Sequence, residues 1–376
     1  MLKKTLALAL ACLLALSLAA CGAQPAGPAA ASGAADTSGA AQQAGTFPYT
    51  FTDSTGRSIT LQQRPQKVAV LLSSHAEVWQ LAGGTVSVTV GEAVKRGFAG
   101  ENTPLVDDGA GLKIDAEHLV ACEPDFVIAS ADLSAQAEVC ERLNGMGIPS
   151  AAFREESFED YLIMLKIFTD ITGDDEAWQE YGVQVQARVD EALAGAQQAV
   201  QGRQPLKVLF IRAGSGDSAT RAKTAKDHFV GVMLAQLGTQ NIADAAGALS
   251  EGLSLESVLI DQPDVILITT QGSEEAAIAY MNSVLAQSGW KNLDAVKNGQ
   301  CHYLPRDLFH YKPNARWDEA YRYLTQLLYP EGENAEPQAG AAFSRAGGCA
   351  GAQRPAGACH GQRASWLWRG GAGPCG

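Results

Sequence analysis

Residues 114–129 and 253–268 follow one plan. In each stretch a capping residue (Asp115, Ser254) opens a helical turn and a glutamate (Glu117, Glu256) follows two positions on. A Pro-Asp pair (Pro124-Asp125, Pro263-Asp264) stands seven residues after that glutamate, directly before an apolar run. The two copies start 139 residues apart. One falls in each half of the body, so the chain is expected to hold two similar lobes.

The surrounding pattern says what kind of lobes. Residues 47–61 alternate in the strand manner around Asp53-Ser54-Thr55-Gly56, which predicts a hairpin. Residues 67–72 (KVAVLL) form an unbroken apolar run, as expected of a strand covered on both faces. Ser73-Ser74 then opens a helix that Gly83-Gly84 closes. Strands at 85–90, 126–129 and 148–153 alternate with helices at 115–122 and 134–145. Residues 157–202 contain no strand candidate and carry apolar residues at helical spacing, with Gly173 as a break. The alternation restarts at 206–211 (LKVLFI) and runs to a closing helix at 317–329. Strands alternating with helices imply parallel sheets covered on both faces. The expected fold is α/β: two Rossmann-like lobes with parallel sheets, 47–156 and 203–330, joined by a long connecting α-helix over 157–202.

The flanks have another character. Lys3 and Lys4 precede an apolar stretch, 5–20, which is short for a membrane span of about 20 residues. A basic start, an apolar stretch and small residues at its end are the layout of a secretory signal, assigned to 1–20. The end reads Leu18-Ala19-Ala20-Cys21-Gly22, which resembles a bacterial lipobox. Cys21 is then the lipidated residue, and lipid chains hold a soluble body to a membrane. Residues 21–46, rich in Ala, Gly, Ser, Gln and Pro, are expected to be a tether. After Pro330 the composition shifts to Gly, Ala, Arg, Pro and Cys, with no Asp, Glu or Lys in 337–376. The segment 331–376 reads as a disordered tail or as an aberrant, frameshifted translation of GC-rich DNA. The net charge of −13 argues against a nucleic-acid binder, and 46% apolar residues are enough to fill real cores. Three cysteines of the body, Cys122, Cys140 and Cys301, read as buried thiols.

The repeat, the strand ending in Ser73-Ser74, and the late run Trp290 … Ala295-Val296-Lys297-Asn298-Gly299 … Tyr303-Leu304-Pro305 together resemble one family. It is the helical-backbone class of substrate-binding proteins of ABC importers, which take up ferric siderophores, heme and cobalamin. The likeness spans about 47–330. It implies an extracytoplasmic, lipid-anchored carrier, monomeric, that captures an iron(III) chelate between its lobes and hands it to permease and ATPase subunits. It also implies that one exposed glutamate per lobe docks on the permease, and the positions matching that motif are Glu117 and Glu256. Heme or cobalamin is the alternative cargo. A two-lobed metallocofactor enzyme or chelatase is the alternative of another class. The chain has no Gly-x-Ser-x-Gly, His-Glu-x-x-His or P-loop, so it is expected not to be an enzyme and to need no cofactor of its own.

The ligand is expected at the carboxyl ends of the strands, between the lobes. Ser74, His75, Arg154 and Arg212 fall at that rim. The segment 310–317 (HYKPNARW) packs cations, aromatics and an amide into eight residues. Arg212, Lys312 and Arg316 suit the charge of an anionic chelate, while Tyr311 and Trp317 suit its flat periphery. Arg96 is a weaker candidate. The scattered histidines have no metal-ligand spacing, so no metal site is expected.

Overall fold

The computed structural model describes residues 45–330, apart from 108, 110–112 and 246–254. The hairpin is β1 (Tyr49–Thr52) and β2 (Ser58–Leu61). The first lobe follows with β3 (Val68–Val70), α1 (Ser73–Leu81), β4 (Val86–Val88), α2 (Gly91–Lys95) and α3 (Ala116–Ala121). β5 (Phe126–Ser130), α4 (Ser134–Gly145) and β6 (Ser150–Phe153) complete it. Its four strands lie in the order β4-β3-β5-β6, and every pair is parallel.

The connector is helical with one break. Ser157 caps α5 (Phe158–Thr172) by accepting from the Asp160 amide at 3.1 Å. Gly173 ends that helix in the left-handed region, φ 72°, where a residue without Cβ carries no steric cost. Asp174 then caps α6 (Asp175–Ala177), which passes through a π-helical stretch, Trp178–Val183, into α7 (Gln184–Val200).

The second lobe holds β7 (Lys207–Ala213), β8 (Arg221–Ala222), α8 (Phe229–Gln236), β9 (Gln240–Asn241), α9 (Ile242–Ala245) and α10 (Leu255–Asp261). It continues with β10 (Val265–Thr270), α11 (Glu274–Leu285), α12 (Asp294–Lys297) and β11 (Cys301–Tyr303). The last helices are α13 (Arg306–Phe309) and α14 (Trp317–Leu328). The strands β9-β7-β10-β11 are parallel neighbours in that order, and β8 adds antiparallel to the end of β7. The repeat in the sequence is thus a repeat in topology.

Its Pro-Asp pair has a mechanical role. Asp125 accepts from the Lys67 amide at 2.8 Å, and Asp264 accepts from the Lys207 amide at 2.8 Å. Each aspartate pins the start of its own strand to the start of the parallel neighbour. The residue before each proline, Glu123 and Gln262, turns the chain with φ of 50° and 45°.

The apolar runs are explained by two-sided burial. Val68, Val70, Phe126 and Ile128 join a central cluster, while Ala69, Leu71, Val127 and Ala129 join an outer one. In the second lobe Val208, Phe210, Val265 and Leu267 join the same central cluster, while Leu209, Ile211, Ile266 and Ile268 join a third. The central cluster also takes residues of α5, α7 and α14, so the connector is packed into the body along its length. No disulfide is formed by Cys122, Cys140 or Cys301. Cys140 alone is buried; Cys122 and Cys301 are half-buried, which corrects the reading of three buried thiols.

Candidate functional site

The junction between the lobes is built at the carboxyl ends of the strands. β3 delivers Ser73, Ser74 and His75 at the start of α1, and all three are buried. β6 delivers Arg154, Glu155 and Glu156. From the other lobe β7 delivers Arg212, and the segment after β11 delivers Arg306 and residues 310–314. Asn314 crosses the junction: its amide nitrogen donates to the Ser74 carbonyl at 3.2 Å and to Glu77 at 2.7 Å. Asn314 is wholly buried and sits at φ 52°, a costly conformation for a residue with a side chain. Lys312 crosses as well, pairing with Glu156 at 2.9 Å and lying 4.7 Å from the Phe229 ring centre. The Tyr311 hydroxyl donates to Glu92 at 3.3 Å, and the Arg96 guanidinium covers the Tyr311 ring at 4.2 Å.

Cations gather around His310. Burial pushes this imidazole down to about 4, and Arg306, Arg212 and Arg96 push it the same way. Two of these guanidiniums also meet the neighbouring ring: Arg96 lies 4.2 Å and Arg306 6.0 Å from the centre of Tyr311, which packs 4.7 Å from His310. Among the described residues neither Arg212 nor Arg306 has an ion pair. Arg306 is held by Thr270 Oγ1 and the Gly272 carbonyl, both at 3.2 Å. Arg212 is half-buried, and that desolvation lowers its pKa. Arg96 is shared between Ser73 Oγ at 3.1 Å and Glu77 at 3.4 Å. Arg306, held by neutral acceptors, keeps donors and charge for an anion, whereas Arg96 shares its charge with Glu77.

Beneath them lies a buried pair. His75 Nε2 is 3.8 Å from Glu155 Oε2, and both residues are 1% exposed. Nδ1 of His75 and both carboxyl oxygens of Glu155 make no hydrogen bond of ordinary geometry. Burial pushes Glu155 up to about 8 against the pull of Lys312, and pushes His75 down to about 3, with Lys312 adding to it. At neutral pH the pair is uncharged, which removes the cost of burying two ions.

The other residues singled out from the sequence lie as follows. Arg154 is exposed and pairs with Asp132 at 3.1 Å. Arg316 faces Asp307 at 2.8 Å and Glu319 at 2.9 Å, on the solvent side of the α14 start. Trp317 is wholly buried between Phe158, Phe229 and Tyr321, with ring centres 5.8, 5.6 and 6.2 Å away. The junction thus gathers Ser74, His75, Arg212, Tyr311 and Lys312, and leaves Arg154, Arg316 and Trp317 engaged elsewhere. Arg306, Glu77 and Glu155 escaped the sequence reading. Arg306 had a signal, a cation directly after Pro305 at the end of a strand. Cys21, the leader and the tail lie outside the described residues.

A comparison with known families matches the model described as periplasmic binding protein over residues 68–308. The chain belongs to the periplasmic binding protein family. Among curated proteins, the molybdate-binding protein of Haemophilus influenzae is 23% identical over 270 residues, 68% of this chain and 74% of that one. Among solved structures, the periplasmic heme-binding protein of Roseiflexus sp. RS-1 in apo form matches with a TM-score of 0.57 at 21% identity. That match covers 70% of this chain and 98% of the other. A Staphylococcus aureus protein complexed with staphyloferrin B matches with a TM-score of 0.56 at 18% identity, covering 75% and 97%.

The two-lobed α/β fold expected from the sequence is therefore that of a periplasmic binding protein. In this member the glutamates of the repeat are exposed, Glu117 on α3 and Glu256 on α10. Asp115 caps α3 by accepting from the His118 amide at 2.9 Å, so Glu117 is not needed for that cap. Ser254, the matching cap candidate, lies outside the described residues.

Proposed function

We propose that the protein is the extracytoplasmic solute-binding lipoprotein of an ABC importer, and that its cargo is an anionic iron(III) chelate held between the lobes. The observation that carries the reading is the approach of Arg96 and Arg306 from opposite lobes to the Tyr311 ring, 4.2 and 6.0 Å from its centre. A ferric chelate bearing carboxylates or catecholate oxygens offers the oxyanions such a set recognises, and the Tyr311 ring offers a flat face. Lys312 supplies a further cation from the crossing segment. The protein binds and releases; no turnover is part of the reading. Glu117 and Glu256 dock the loaded carrier on the permease, and Cys21 anchors it to the membrane. Heme is the second reading, favoured by His310, whose imidazole is kept neutral and so retains a lone pair for iron.

Tryptophan-fluorescence titration tests this. The panel holds ferric citrate, a ferric catecholate, a ferric hydroxamate, heme, cobalamin, molybdate and free Fe(III). Saturable quenching by one anionic chelate is expected. Arg306→Gln should weaken it by about 10–100-fold, the worth of one charged hydrogen bond. Quenching by heme alone moves the cargo to the second reading, quenching by molybdate alone makes it an oxyanion carrier, and silence across the panel refutes the chelate assignment.

A further inference from the structure

Three residues of the segment that crosses the junction each meet a glutamate of the first lobe. The Tyr311 hydroxyl donates to Glu92 at 3.3 Å, Asn314 donates to Glu77 at 2.7 Å, and Lys312 pairs with Glu156 at 2.9 Å. The three carboxylates differ in what they hold. Glu92 accepts from a neutral hydroxyl, and Glu77 divides itself between a neutral amide and Arg96. Glu156 holds a cation, and among the described residues that cation is the one side-chain partner of its carboxylate.

The Glu156 side chain can leave without its backbone. Its amide donates to Asp160 at 2.9 Å, and the next residue, Ser157, caps α5. The carboxylate end reaches solvent, with 34% of the side chain exposed, so a change of rotamer opens the pair and α5 stays in place. Lys312 is the fixed partner. Its side chain is 18% exposed, and its ammonium lies 4.7 Å from the Phe229 ring centre. An ammonium beside an aromatic ring keeps three donors for whichever acceptor faces it. Glu156 is also felt by Arg212: burial lowers the pKa of that guanidinium, and Glu156 and Asp227 pull it back up.

We infer that Glu156 is an internal competitor of the cargo, a carboxylate that occupies Lys312 across the junction and must be displaced by an oxyanion before the cargo can use that cation. The exchange conserves charge at Lys312: one anionic partner leaves for water and another takes its place. A neutral group cannot make the exchange, because it would leave a largely buried ammonium without a counter-charge. The class this selects is a polyanion, with one oxyanion for Lys312 and others for Arg212 and Arg306. Glu156 takes Lys312 back as the cargo leaves, so the grip is weaker than the cations alone would give. The inference rests on the carrier reading and adds to it a residue that sets the strength and charge selectivity of the site.

The test uses the full chain and tryptophan fluorescence, with ferric citrate, a ferric catecholate and iron-free citrate as probes. The proteins are the parent, Glu156→Gln, Lys312→Gln and the double variant, each checked for parental folding by urea unfolding. Glu156→Gln should bind the anionic probes about tenfold tighter than the parent, the scale of one charged contact. In the Lys312→Gln background the same substitution should gain about threefold at most, from relief of like-charge repulsion alone. Equal gains in the two backgrounds overturn the competition for Lys312. A parent that binds a chelate, with Glu156→Gln no tighter, overturns the inference and leaves the carrier reading intact. A parent silent to every probe refutes the chelate assignment. The inference then stands if Glu156→Gln acquires binding, and falls if that variant is silent as well.

Discussion

Replacing Glu155 by Gln tests the buried pair under the junction. Glu155 rises from 4.5 to about 8 on folding, and His75 falls from 6.5 to about 3. The folded pair therefore holds one proton from about pH 3 to about pH 8. The unfolded chain holds two below pH 4.5, one between 4.5 and 6.5, and none above 6.5. Between pH 6.5 and 8 the folded state binds the extra proton, so stability falls as pH rises. Between pH 4.5 and 3 the unfolded state binds the extra proton, so stability falls as pH drops. The slope for one proton is about 1.36 kcal/mol per pH unit, so the alkaline window costs about 2 kcal/mol. Urea unfolding of the parent and of Glu155→Gln at pH 6.5 and pH 8 reads this directly. The parent should lose about 2 kcal/mol between the two. The variant, with no carboxyl to ionise, should lose none of that: folded His75 is neutral throughout, and unfolded His75 gives up its remaining proton just above pH 6.5, which can only raise stability slightly. Equal losses in parent and variant would refute the assignment of a buried protonated carboxyl at Glu155.

Two further outcomes follow from the geometry. Asn314→Ala removes the donor to Ser74 and Glu77 and places a Cβ at φ 52° without an amide to hold it there, at about 2–4 kcal/mol. Asn314→Gly loses only the hydrogen bonds and should cost less, and equal stability of both variants by urea unfolding would count against Asn314 as the clasp of the junction. Trp317→Ala should cost about 3–5 kcal/mol as a core truncation, whereas Trp317→Phe should keep the chelate titration within twofold of the parent, because a wholly buried indole has no face to offer. A tenfold loss of cargo affinity in the phenylalanine variant would put Trp317 back among the ligand contacts.

The parts of the fold legible in the sequence are those coded locally. Residues 67–72 and 265–270 announce strands because both sheet faces are buried, and Pro-Asp announces the start of a strand because the aspartate ties it to its neighbour. The helix Gly91–Lys95 gave no signal, since its first amide is capped by Asp107, sixteen residues on, at 2.8 Å. Gly173 was legible as a break because its cap conformation needs a residue without Cβ. The site was less legible, for the same reason of distance. Arg212 and Lys312 stand out as cations at strand ends and in a dense polar segment. Arg316 has the same local setting, yet Asp307 and Glu319 face its guanidinium, and no spacing rule announces that. The His75–Glu155 pair joins residues eighty positions apart, and only the folded sheet brings them to 3.8 Å.

The central apolar cluster has a consequence for how such a molecule can be rearranged. Its residues come from the hairpin, both sheets, the connector and the closing helix, so no cut through 157–202 leaves two bodies with closed surfaces. A grafted lobe from a relative would arrive with half of a core and would meet a half shaped by other side chains. The internal repeat makes the lobes look like interchangeable modules, but the seam between them is built as an interior. Only chimeras that keep both sheets together with α5, α7 and α14 preserve that interior; chimeras joined at the connector do not.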